Sequence, residues 1–139
     1  MLITKLLSQK SARHYPLVFE VAGLFAHEAE AKAVMGKNPV LENARKTPGK
    51  RIYVLAPFES FCELVPEKKN RHDDKAIMVL VNGNCIGYVP KENQEEVQKR
   101  IKAKQKTSVK LLGGNYKVFE EGEWVTYKGS IHGTVTICQ

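Results

Sequence analysis

The stretch Ala76-Ile77-Met78-Val79-Leu80-Val81, then Asn82-Gly83-Asn84, then Cys85-Ile86-Gly87-Tyr88-Val89-Pro90, constrains this chain more than any other. Two short apolar runs separated by an Asn-Gly turn dictate a β-hairpin, because Gly83 supplies the positive φ that a tight turn needs. Pro90 ends the second strand, since it has no N–H to give to a ladder. The unbroken apolar run Ile77–Val81 predicts a strand buried on both faces, as inside a barrel. Immediately upstream, Asn70-Arg71-His72-Asp73-Asp74-Lys75 is a charged loop that empties straight into the strand. Binding chemistry concentrates in loops set on rigid strands, so the search for function starts here.

The remainder reads as mostly β. Residues 1–16 suit a polar N-terminal arm or edge strand, with Pro16 as boundary, and 17–139 a single domain. Runs rich in β-branched and aromatic residues predict strands over 17–24, 51–55, 61–65, 108–112, 116–119 and 127–137. The alanine-rich segment 27–35, with Gly36 just past its end, predicts a short helix. A second helix is expected over 91–104, where Glu95 and Lys99, and Glu96 and Arg100, are i,i+4 pairs in the favourable order. Residues 37–50, with Pro39, Pro48 and Gly49, read as a loop long for a compact domain. The fold class expected is mainly β, a small OB-like β-barrel of about six strands with two short α-helices.

Composition narrows the function classes. A chain of 139 residues with 42% apolar residues and a mean hydropathy of -0.35 can bury a core without disulfides or metal. Its longest apolar run is far too short for a membrane span. The first residues lack the apolar core and cleavage site of a signal peptide. Cys62, Cys85 and Cys138 are odd in number and far apart, which fits a reducing cytoplasm and no disulfide. No zinc spacing occurs, and neither metal nor cofactor is expected. His72-Asp73-Asp74 is a poor nuclease centre, because adjacent carboxylates point apart and no second ligand cluster accompanies them. No P-loop or nucleophile elbow is present either, so the expectation is a protein without enzymatic activity.

Charge says more through its placement than its size. The net charge is +7. Lys99, Arg100, Lys102, Lys104, Lys106, Lys110 and Lys117 fall in one segment without an acidic residue, and elsewhere 15 basic residues balance 15 acidic ones. A localised basic patch raises the local concentration of polyanions. The bland alternative is a solvated helix end whose cations face the helix dipole.

At this point the residues carry a resemblance. Asn70-Arg71-His72-Asp73-Asp74-Lys75-Ala76-Ile77-Met78-Val79 resembles the Asn-x-x-Asp-x-x-Ala-Ile-x-Val signature of the HIRAN family. Glu63-Leu64-Val65-Pro66-Glu67, Ile86-Gly87-Tyr88-Val89-Pro90-Lys91-Glu92 and Val21-Ala22-Gly23-Leu24 resemble its neighbouring segments in order and spacing, over residues 19–101. The tail with Gly113-Gly114-Asn115-Tyr116-Lys117 resembles stand-alone bacterial members. The resemblance implies a modified OB-like barrel that binds the 3′ end of single-stranded DNA, with an aromatic pair sandwiching the terminal base and an aspartate accepting a hydrogen bond from the 3′-hydroxyl. Carried over by position, that aspartate is Asp73 and the aromatic before it is His72. The other stacking partner falls on Phe25-Ala26-His27, where the family has Arg-Tyr-Tyr; Ala26 cannot stack, which leaves Phe25 or His27. Tyr116 is a candidate second base platform.

Physical chemistry supports the same class without the family. Single strands are held by planar side chains beside positive charge that tracks the phosphates. Arg71, Lys75 and Lys91 flank the motif, and Lys99, Arg100 and Lys102 extend the positive charge. Asn70 and Asp73 equally suit Asx turns that fix a loop by bonding its own backbone. The expected function is a non-catalytic DNA-binding module for single-stranded 3′-hydroxyl ends in DNA repair or replication-fork processing. A helicase or another repair protein is the candidate protein partner. The alternatives are a protein-interaction or adaptor module recruiting a replication or repair enzyme, and an RNA-binding module.

Overall fold

Glycine and proline punctuation keeps every element short. The computed structural model describes residues 15–138. Along that span run β1 (Leu17–Glu20), α1 (Glu28–Met35), β2 (Arg51–Tyr53), β3 (Phe58–Phe61), β4 (Glu63–Pro66), β5 (Ile77–Val81) and β6 (Asn84–Tyr88). Then follow α2 (Gln94–Lys102), β7 (Lys106–Gly113), β8 (Tyr116–Glu120), β9 (Glu123–Tyr127) and β10 (Ile131–Cys138). The arm expected over 1–16 lies outside the described residues except for Tyr15 and Pro16.

The strands form three antiparallel sheets, ordered β1-β10-β7-β3, β4-β5-β6 and β2-β8-β9. They do not close into the expected barrel, and they number ten among the described residues rather than about six. Closure requires each edge strand to bond the next, whereas each sheet here ends on its own edge strands. β1 and β6 approach through a single bridge, Ala22 to Tyr88, bonded in both directions at 2.8 Å. The two α-helices fall where alanine periodicity and the Glu-to-Lys pairs place them.

The hairpin forms with the expected turn, Asn82 and Gly83 both having positive φ. Its first strand is less enclosed than its composition suggests. Ile77, Val79 and Val81 are fully buried, but Met78 and Leu80 are only partly buried, so one face meets the core and the other is incompletely covered. The return strand is bulged: Val79 faces Gly87 and Leu80 faces Cys85, which leaves Ile86 as the extra residue. That bulge lets Ile86 and Gly87 both turn inward. Around the hairpin gather Leu64, Val89, Val97, Val109, Val135 and Ile137, which weld the β4-β5-β6 sheet, α2 and the four-stranded sheet into one core.

Candidate nucleic-acid interface

The loop between β4 and β5 is built by its own side chains. Asn70 Oδ1 accepts hydrogen bonds from the backbone N–H of His72 and of Asp73, both at 2.9 Å. Asp73 Oδ1 then accepts from the Lys75 N–H at 2.9 Å. Below them Glu67 N–H donates to the Ala76 carbonyl at 2.8 Å, closing the loop onto the strands. Two short polar side chains therefore replace a backbone ladder, and they hold His72 outward.

This loop forms one wall of a cleft of about 410 Å³. Gly23, His72, Asp73, Tyr88, Lys91 and Gln94 line it. Gly23 adopts φ +68 to turn the chain from β1 into the Leu24–His27 3-10 turn beside the Tyr88 ring. Tyr88 arrives from β6; its hydroxyl donates to Glu67 Oε2 at 2.7 Å, which pushes its pKa up to about 12 and keeps the phenol protonated. His27 packs edge-on against Tyr88, ring centroids 5.6 Å apart.

The carboxylate is the chemical centre of the cleft. Gln94 Nε2 donates to Asp73 Oδ2 at 2.7 Å. That bond, then the Lys75 N–H, and then the charges of Lys91 and Lys75 hold the Asp73 carboxyl below its ordinary value. An ionised carboxylate has about four lone-pair sites, so Oδ2 retains capacity for a second donor beside Gln94. The cleft thus presents an anionic acceptor, a lysine ammonium and aromatic side chains within one concavity.

Among the expected site residues, the structure brings His72, Asp73 and Lys91 together, with His27 one ring behind at Tyr88. Arg71 and Lys75 are exposed on the same loop but do not line the cleft. Phe25 stands away from it, 87% exposed, in a neighbouring groove. Tyr116 belongs to another sheet, where Tyr127 stacks against it and Arg51 lies over its ring, so it is not an open platform. The basic tract divides. Lys99 and Lys102 are exposed, but Arg100 is engaged with Glu96 at 3.1 Å, Gln105 at 3.1 Å and the Tyr15 carbonyl at 3.0 Å. Its side chain is only 12% exposed, so it fastens α2 to its surroundings rather than facing solvent. The lining residues absent from the expected site are Tyr88 and Gln94. No local signal marks Gln94, which meets Asp73 across 21 positions.

On a mainly β scaffold, the 67–76 loop, the end of β6 and the turn that follows it bring an acceptor, a cation and rings into one cleft, a geometry suited to holding a ligand. Residues 54–117 match the HIRAN domain family model, and HIRAN domains form a nucleic-acid-binding family. The match takes in the 67–76 loop, the hairpin and α2, while residues 19–53 of the wider resemblance fall outside it. No curated protein and no solved structure matches the chain. Among the described residues no helix is long and apolar enough to cross a membrane, and no group of three His, Cys, Asp or Glu side chains is placed to hold a metal ion.

Proposed function

We propose that this protein is a non-catalytic, cytoplasmic module that binds single-stranded DNA by its 3′-hydroxyl end, serving DNA repair or replication-fork processing beside a helicase or another repair enzyme. The observation that carries the reading is Asp73. Its carboxylate is held ionised at the cleft wall, with Lys91 and the aromatic side chains of His72 and Tyr88 lining the same space. A terminal hydroxyl donates to Oδ2, the preceding phosphodiester meets Lys91, and the last base lies against His72. A terminal phosphate in place of the hydroxyl would set negative charge against the carboxylate, at a cost that grows as water leaves the cleft.

The test compares three otherwise identical oligonucleotides, ending in a 3′-hydroxyl, a 3′-phosphate and a duplexed 3′ end, in a fluorescence-anisotropy titration. The 3′-hydroxyl single strand binds tightest; equal affinities for all three would remove end recognition. An oligoribonucleotide that outcompetes its DNA counterpart would reassign the ligand to RNA.

A further inference from the structure

Three tyrosines lie side by side across the β2-β8-β9 sheet, away from the cleft. Tyr53 and Tyr127 are each the direct cross-strand partner of Tyr116, so the pleat places all three on one face. Tyr116 and Tyr127 are stacked, with centroids 5.5 Å apart and planes 16° from parallel; Tyr53 lies 5.7 Å from Tyr116 on the other side. The Arg51 guanidinium sits 4.6 Å from the centre of the Tyr116 ring. None of these residues belongs to the main core cluster. Tyr53 and Tyr127 remain 37% and 38% exposed, so the outer members of the row offer open ring surface next to a fixed positive charge.

A groove of about 490 Å³ is lined by chain neighbours of both parts: Leu24 follows Gly23 of the cleft wall, and Asn115 and Lys128 adjoin Tyr116 and Tyr127 of the row. Phe25 and Lys32 line it on one side; Asn115, Lys128 and Gly129 line it on the other. Phe25 is two residues beyond Gly23 of the cleft wall. At the far side, a Cβ on Gly129 would lie 3.5 Å from the Tyr116 ring. Glu28 also lines the groove but is paired with Lys32 at 2.9 Å, which leaves Lys128 to set a positive balance. Past the row, Glu120, Glu121 and Glu123 line an acidic notch at the tip of the β8–β9 hairpin, and Glu120 accepts the Tyr127 hydroxyl. Phosphates are repelled there and favoured at the Arg51 edge.

We infer that the tyrosine row is the second part of the same single-strand site: the nucleotides that precede the 3′-terminal one pass Phe25 and the Lys128 groove, and their bases stack on Tyr127 and Tyr53. The inference rests on the end-binding reading of the cleft and extends it from one nucleotide to a track. The occupant is a single strand rather than a duplex, because bases reach ring faces only when unpaired.

Oligonucleotide length separates the two parts. A 3′-hydroxyl oligonucleotide of about two nucleotides reaches only the cleft, whereas one of about ten, within the usual span of such modules, reaches the row. Tyr127→Ala and Tyr53→Ala should each weaken the longer oligonucleotide about 5- to 150-fold and leave the shorter one unchanged. Tyr127→Phe, which keeps the ring, should bind as the wild type does. Thermal melting confirms that each variant is folded, and the two alanine variants on opposite edges of the sheet serve as each other's check. His72→Ala should weaken both lengths. Unchanged binding of the longer oligonucleotide by both folded alanine variants would overturn the track, while an effect of His72→Ala in the same series would leave the end cleft standing. Weakening by the tyrosine variants with no effect of His72→Ala would keep the row as a binding surface and remove the cleft.

Discussion

Asp73 shows how much one residue's chemistry depends on a distant partner. Its turn-forming role is local, since Asn70 and Lys75 lie within three positions, and such Asx geometry is legible from spacing alone. Its electrostatics are not local, because the largest lowering influence is Gln94, on a helix 21 residues later. Gln94→Leu should therefore raise the Asp73 pKa towards the ordinary carboxylate value of 3.8, as read by NMR titration of the side-chain carboxyl carbon; an unmoved titration would mean that Gln94 does not hold the charged form. The sign for pH follows. Because the folded value is depressed, the carboxylate's contribution to stability is complete above the unfolded value and is lost only as pH falls through the lower, folded one. The 3′-hydroxyl preference of the wild type should thus persist to lower pH than that of Gln94→Leu. Cys62 illustrates the opposite case: burial first, then the Glu63 charge, push its thiol up to about 12.

At the scale of elements, Gly87 determines where the cleft can exist. A Cβ there would come within 2.4 Å of Val21 Cγ1 and 2.7 Å of the Ala22 carbonyl oxygen. Only glycine lets the segment after β1 reach Tyr88 and bring Gly23 to the cleft wall. Gly87→Ala should cost about 3 kcal/mol in a urea titration, through overpacking against backbone that has nowhere to move. An unchanged midpoint would show that residues 21–22 yield freely. The strands themselves were unequally legible. β5 and β6 announce themselves through β-branched runs and Asn82-Gly83, whereas β3 and β9 do not. Phe58–Phe61 follows Pro57 and reads as part of a turn, and Glu123–Tyr127 begins in an acidic cluster that reads as a connection. The β8–β9 hairpin forms because Glu121 joins Gly122 at positive φ, a conformation that a glutamate does not advertise.

For the whole molecule, the placement of charge matters more than its total. The cleft lies at the N-terminal end of α2, while Lys99 and Lys102 stand about 7.5 and about 12 Å further along the helix at 1.5 Å per residue. The first distance is close to the Debye length of about 8 Å at physiological salt and the second exceeds it, so this pair acts on the approach of a polyanion more than on a seated end. Replacing Lys99 and Lys102 by alanine should slow association at low ionic strength, measured by stopped flow, and leave the ratio of 3′-hydroxyl to 3′-phosphate affinity unchanged. Loss of that ratio would place these lysines in the end site.

What the sequence determined by itself is what short-range physics decides: β-rich composition, the hairpin, both helices, the Asn70–Asp73 turn and the surplus of positive charge. Each depends on residues a few positions apart, where periodicity and turn chemistry act. Three separate sheets in place of a barrel, Gln94 beside Asp73, Tyr88 in the cleft, Arg100 bonded to the Tyr15 carbonyl and the tyrosine row across β2, β8 and β9 came only with the tertiary structure. Those features join residues that share no local pattern, and the packing that pays for them is settled by the chain as a whole.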